Sequence, residues 1–174
     1  MGRAVAAIVA AAALVAAIAP HARAEDGEIS SACVGAGTEI LVDTAARVLT
    51  LCEHGAAVAS YPVAIGGNGA GKQREGDGKT PLGRYALAAP RRSSDYGTFI
   101  PIAFPTAAQQ KRGITGGAIG IHGPDRRLRA LGRAAVTFGW TRGCVAVSSD
   151  VEMRSIARWV QARRARSPLS IEIR

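Results

Sequence analysis

The sequence predicts a mainly β domain, a sandwich or barrel of short strands with one helix before the last of them. Short runs rich in β-branched and apolar residues recur along the chain, turn-compatible residues separate them, and only one stretch has a helical period. The chain has 174 residues, 48% apolar and 20% charged. Once a leader is set aside, about 150 residues remain, enough for one domain with a real core. This composition excludes a disordered tail, a coiled coil, collagen and a polytopic membrane protein.

The first segment, 1–24, reads as an export leader. Arg3 supplies the positive charge, Ala4 to Ala19 is an unbroken apolar run, and Pro20 precedes the small-residue site Ala22-Arg23-Ala24. The run is shorter than the roughly 20 residues that a spanning helix needs. Cleavage after Ala24 is expected to leave an exported chain without a stable membrane anchor. Residues 25–37 are polar and read as a flexible lead-in to a single domain over 38–174.

Thr38 to Asp43, Arg47 to Glu53 and Ala57 to Ile65 are read as a β-meander, with turns at Thr44-Ala45-Ala46 and His54-Gly55. Gly66 to Gly83 is a long, Gly-rich exposed loop. Its Gly66-Gly67-Asn68-Gly69-Ala70-Gly71-Lys72-Gln73 nearly spells a phosphate-binding loop. However, Gln73 lacks the metal-binding hydroxyl, and Gly76, Gly78 and Pro81 deny the helix that must follow. A loop flanking a substrate cleft is the better reading. Further strands are expected at Gly83 to Ala88, Ala118 to His122, Cys144 to Val147 and Leu169 to Ile173. The helix is signalled by Ser149 and Glu152 at capping-box spacing, by the stripe Met153, Ile156, Trp159, Val160, and by Arg163-Arg164 in its last turn.

The formal charge is +9, with 22 Lys and Arg against 13 Asp and Glu. Such a surface favours polyanions. Three Phe, three Tyr and two Trp are too few for a base-stacking groove, and export argues against nucleic acid as the partner. Three Cys leave at least one thiol unpaired within the chain. Cys33 and Cys52 are able to bridge in an oxidising compartment, which would leave Cys144 free, but the spacing does not settle the pairing.

His54, beside Gly55, is read as a solvated turn residue. His122 closes the apolar run Ala118 to Ile121 and precedes Gly123-Pro124, so a strand delivers it to an edge. Cys144 opens a strand behind Gly143. Arg142 offers positive charge to a thiolate, His122 offers a proton acceptor, and N–H groups at Gly143 and Cys144 offer oxyanion donors. An inert core thiol is the competing reading. No metal or other cofactor is expected, because no His and Cys cluster has ligand spacing.

Four ordered segments resemble landmarks of the L,D-transpeptidase (YkuD-type) catalytic domain family. They are Tyr61-Pro62-Val63-Ala64-Ile65-Gly66, Lys79-Thr80-Pro81-Leu82-Gly83-Arg84-Tyr85, Ile119-Gly120-Ile121-His122-Gly123 and Thr141-Arg142-Gly143-Cys144-Val145-Ala146-Val147. The resemblance implies a β-sandwich-like domain acting on bacterial peptidoglycan, in the periplasm or wall. Cys144 aligns with the nucleophile and His122 with its base, oriented from the Gly123 region. The implied reaction is attack on the amide after the third stem-peptide residue, loss of D-Ala, and resolution of the acyl-enzyme by an acceptor amine or by water. Arg142 stands where the family usually has His, and Ala146 where many members carry Arg; a permanent charge remains but no proton shuttle. The form resembles a divergent branch. Gly143 is assigned to the oxyanion hole and Arg142 to thiolate or carboxylate stabilisation. Gly123, Thr141, Arg126 and Arg127 are assigned to substrate binding, the two arginines through substrate carboxylates. The alternatives are a hydrolase using the same site, either an L,D-carboxypeptidase or a wall-to-protein amidase, and a non-catalytic basic wall-binding module.

Overall fold

The computed structural model describes residues 32–174; the leader read at 1–24 and most of the lead-in lie outside the described residues. The chain runs through β1 (Glu39–Asp43), β2 (Val48–Glu53), β3 (Ala56–Ala64), β4 (Gly83–Ala86), β5 (Arg91–Ser93), β6 (Gly97–Pro101) and α1 (Ala107–Lys111). It continues through β7 (Gly120–His122), a 3₁₀ segment (Arg129–Val136), β8 (Val145–Val147), α2 (Asp150–Arg164) and β9 (Ser170–Ile173). The fold is mainly β, with a helix before the last strand, as the sequence predicts.

The meander forms because its turns suit it. Asp43 Oδ1 accepts the N–H groups of Ala45 and Ala46 at 2.9 and 2.8 Å, which closes the first turn. His54 and Gly55 both take positive φ, 51° and 83°, the geometry of a two-residue turn that matches strand twist.

Among the described residues nine strands join one sheet in the order β4-β9-β1-β2-β3-β8-β7-β6-β5. The sheet curls until its ends are stitched together: Leu87 bridges Ile102, Ala88 N–H donates to Pro101 O, and Ala103 N–H donates to Ala86 O, each N–H bond at 2.9 Å. Alternate residues point into the resulting half-barrel, with Ile40, Val42, Leu49, Ile121, Val147 and Ile171 all buried in one core. Each such side chain contributes about 1.5–3 kcal/mol.

On the outer face of β1 and β2, Leu41 packs with Cys33 and Cys52, which form a disulfide with Cα atoms 5.6 Å apart. Residues 32–37, read from the sequence as part of a flexible lead-in, are thus tied to the sheet at Cys33, which is fully buried.

The helix α2 packs Met153, Ile156, Ala157 and Val160 against the core. Ser149 Oγ caps it by accepting Glu152 N–H at 3.2 Å. The returning Glu152 carboxylate goes to Ser148 instead, bonding its N–H at 2.9 Å and its hydroxyl at 2.7 Å. At the other end Glu53 Oε1 accepts Trp159 Nε1–H at 2.6 Å and pairs with Arg163.

The sequence reading misses β5, β6, α1 and the 3₁₀ segment. In β6 only Thr98-Phe99-Ile100 lie between Gly97 and Pro101, too few residues to show a period.

Candidate active site

The strand β7 ends at His122 because Gly123-Pro124 cannot extend it, and β8 begins just after Gly143-Cys144. The two strands run parallel, with Ile121 opposite Val145 and His122 opposite Ala146. Continuing that register sets Cys144 level with Gly120, so Cys144 and His122 leave the sheet on the same face. Gly120 has no room for a side chain, since a Cβ there would lie 2.3 Å from Ile100 O and 2.6 Å from Phe99 Cζ. The Phe99 ring occupies that side of the sheet.

Cys144 is half-buried and lies outside the disulfide. Its thiol donates weakly to Ala118 O at 3.5 Å. Burial pushes the thiol above its ordinary pKa, against the Gly120 N–H and the charges of Arg142 and Lys72, which favour the thiolate.

His122 is 1% exposed, and burial pulls its pKa down to about 4, although the Gly123 carbonyl and Asp125 favour the charged form. The Gly123 carbonyl can only accept, so His122 Nδ1–H donates to it at 2.6 Å and Nε2 keeps a free lone pair. Tyr96 stacks on the imidazole with ring centroids 3.8 Å apart and planes 19° apart, and Trp140 meets it edge-on at 5.8 Å. At neutral pH both the thiol and the imidazole are therefore uncharged at rest.

Gly143 is held at φ 126°, and a Cβ there would lie 2.6 Å from Lys79 O. Its N–H, read as an oxyanion donor, points to Thr141 Oγ1 at 3.1 Å, and the same hydroxyl donates to Cys144 O at 2.7 Å. Thr141 therefore braces the turn that presents the thiol. Gly123 is buried and spends its carbonyl on His122.

Both Cys144 and His122 line one cleft of about 930 Å³, together with Lys72, Arg91, Arg92, Tyr96, Trp140 and Arg142. Arg142 is exposed at its edge. Arg126 does not line this cleft itself: its Nη2 donates to Ser94 O at 2.8 Å, and it lines an adjoining hollow of about 610 Å³ that shares Arg92, Ser93, Ser94 and Asp95 with the cleft. Arg127 is exposed and lines neither hollow. The sequence reading passes over Arg91, Arg92 and Tyr96. The turn composition Ser93-Ser94-Asp95-Tyr96-Gly97 is the signal that could have marked a hairpin there.

The Gly-rich loop 66–82 does flank the cleft, through Lys72, Glu75 and Gly76. It is tightly braced. Asp77 accepts N–H groups from Gln73, Arg74 and Lys79 and the Lys72 ammonium at 2.8–3.0 Å, and Gly66 N–H donates to Thr80 Oγ1 at 2.8 Å. Burial works to raise the Asp77 pKa, but these donors outweigh it and hold the carboxyl well below the usual range.

Among the described residues no group of three His, Cys, Asp or Glu is placed to hold a metal ion, and no helix is long and apolar enough to cross a membrane.

Comparison with known proteins bears on the family and the fold. Residues 37–171 match the L,D-transpeptidase catalytic domain (YkuD) family. Among solved structures, the helical cell shape determining protein Pgp2 from Campylobacter jejuni aligns at 20% identity and TM-score 0.61, over 85% of this chain and 54% of that one. Bd1075 of Bdellovibrio bacteriovorus aligns at 27% identity and TM-score 0.54, over 78% and 47%. An Enterococcus faecium L,D-transpeptidase aligns at 14% identity and TM-score 0.52, over 79% and 49%. The chain spans about half the length of these structures. No curated protein matches it. With a family match covering more than three quarters of its length, the chain belongs to the L,D-transpeptidase catalytic domain family.

Proposed function

We propose that this chain is an exported cysteine acyltransferase acting on peptidoglycan stem peptides in the periplasm or wall, with residues 38–174 as its catalytic domain behind a cleaved leader. The observation that carries the reading is the placement of one free thiol and one oriented imidazole on the same cleft wall.

In the proposed reaction the carbonyl of the third stem-peptide residue sits against Cys144. As the S–C bond forms, His122 Nε2 takes the thiol proton, so charge develops only with substrate in place. The carbonyl oxygen becomes an oxyanion. With Gly143 N–H engaged by Thr141, the donor assigned to it is the N–H of Cys144 itself. The imidazolium returns its proton to the departing D-Ala nitrogen as the C–N bond breaks, leaving a thioester. An acceptor amine resolves it to a cross-link or protein attachment, whereas water gives net carboxypeptidase action. Arg142, with Arg91 and Arg92, is assigned to substrate carboxylates, because these three guanidinium groups border the same cleft.

The full chain, processed at its leader and incubated with purified sacculi, is expected to release D-Ala and change the muropeptide profile. Cys144→Ala is expected to abolish both while still sedimenting with sacculi. New cross-links identify transfer, tripeptide stems without cross-links identify hydrolysis, and sedimentation without chemistry in the wild type identifies a wall-binding module and overturns the proposal.

A further inference from the structure

We propose that Tyr96 is a positioning residue for His122, its ring fixing the plane of the imidazole so that Nε2 addresses the Cys144 thiol. This rests on the reading of His122 as the base.

The geometry gives three reasons. First, the bond from His122 Nδ1 to Gly123 O at 2.6 Å anchors one ring atom but does not by itself set the ring plane. A parallel ring at 3.8 Å and 19° does, because rotation of the imidazole would drive it into the tyrosine face. Phe99 lies nearly parallel at 6.3 Å and 16°, and Trp140 closes the edge at 5.8 Å and 62°. Trp140 is itself tied by Nε1–H to Ala135 O at 2.9 Å. The base therefore sits in an aromatic slot with Tyr96 as its nearest wall.

Second, that wall comes from the periphery. Phe99 and Trp140 belong to β6 and to the segment before β8, whereas Tyr96 sits in the tight connection between β5 and β6. Thr98 N–H donates to Tyr96 O at 2.8 Å there. The neighbours Ser94, Asp95 and Gly97 are exposed, yet the tyrosine is half-buried over the imidazole. A ring turned inward from an exposed turn, onto the one histidine in the cleft, has a local task beyond filling the core.

Third, the same ring borders the cleft beside Cys144, so it shields the base from water at the point where substrate arrives. The other titratable and charged groups around this ring are Asp125 after β7, Asp95 in the hairpin turn, Asp150 of α2 behind Gly123, and Cys144 and Arg142 before β8.

The test compares Tyr96→Phe with Tyr96→Ala in the full processed chain. Two readouts apply: steady-state release of D-Ala from a stem tetrapeptide across pH, and NMR titration of the His122 ring. Tyr96→Phe keeps the ring and is expected within about threefold of wild type. Tyr96→Ala is expected to lower kcat at least tenfold with KM changed less than threefold, to move the acid limb of kcat/KM upward, and to raise the His122 titration midpoint toward 6.5. If Tyr96→Ala fails to fold, Tyr96→Leu, which fills space without a flat face, carries the same expectation for kcat and KM. A loss confined to KM would make Tyr96 a substrate contact and overturn the proposal, as would a wild-type kcat and His122 midpoint in Tyr96→Ala. A tenfold loss in Tyr96→Phe would place the role in the hydroxyl and overturn it too. Should the wild-type protein release no D-Ala, the function proposed above fails separately. The His122 titration and the iodoacetamide alkylation rate of Cys144, expected to fall in Tyr96→Ala, then decide the role of Tyr96.

Discussion

Gly143 concentrates the constraint on the nucleophile. Its φ of 126° and the 2.6 Å gap to Lys79 O mean that Gly143→Ala must shift either the turn or the loop behind it. Gly143→Ala is expected to cost about 2 kcal/mol or more in urea unfolding and to slow iodoacetamide alkylation of Cys144 at least tenfold. His122 gives a second prediction. Its folded pKa of about 4 lies below the ordinary 6.5, so between those values the unfolded chain binds a proton that the folded one refuses. Stability attributable to this group is fully present above 6.5 and declines as pH falls, by on the order of 2 kcal/mol at pH 4.5. The loss in unfolding free energy from pH 7 to 4.5 is expected to be smaller by about that amount in His122→Gln than in wild type, and equal losses would contradict it. The residues with distinctive chemistry, Cys144 and His122, could be picked out of the sequence because few others of their kind exist in the chain. The Thr141 hydroxyl also braces the turn before Cys144 and the Gly123 carbonyl holds the imidazole, an internal wiring that composition does not reveal.

Among elements, the loop 66–82 supplies one border of the cleft through Lys72, Glu75 and Gly76. Its sequence shows glycines and charges, which read as an exposed loop; what escapes a linear reading is that Asp77 collects donors from both arms of the loop. Asp77→Ala is expected to lower stability by about 2 kcal/mol at pH 7 and to raise KM, since Lys72 and Glu75 border the cleft. Because the folded carboxyl ionises below its ordinary range, the stabilisation is present above about pH 4 and lost beneath it. Unfolding curves of the two proteins that converge only below that pH would agree. The strands of the meander and the helix α2 were legible because period, caps and turn residues coincide in them. The hairpin β5–β6 was not, because its strands are short and one ends in Pro101, so pairing with β7 rather than local preference decides it.

Across the whole molecule, a curled sheet brings β7 and β8 side by side from segments separated by the 3₁₀ turn, and that parallel pairing builds the site. The disulfide sits on the outer face of the other half of the sheet, remote in sequence from Cys144, and joins cysteines 19 positions apart. Its loss in Cys33→Ser/Cys52→Ser is expected to cost roughly 3 kcal/mol in unfolding while leaving the alkylation rate of Cys144 within about twofold. The mainly β class and the place of the helix followed from sequence pattern. The closure of the sheet through Leu87 and Ile102 did not, since a single bridge between distant residues leaves no local signature. Intact-mass spectrometry of the processed chain during turnover of a stem tetrapeptide tests the proposed chemistry most directly. The expected spectrum shows one adduct, the peptide less its terminal D-Ala, mapped to Cys144, absent in Cys144→Ala and at least 100-fold slower to form in His122→Ala. D-Ala release by Cys144→Ala, or an adduct on any other residue, would contradict it.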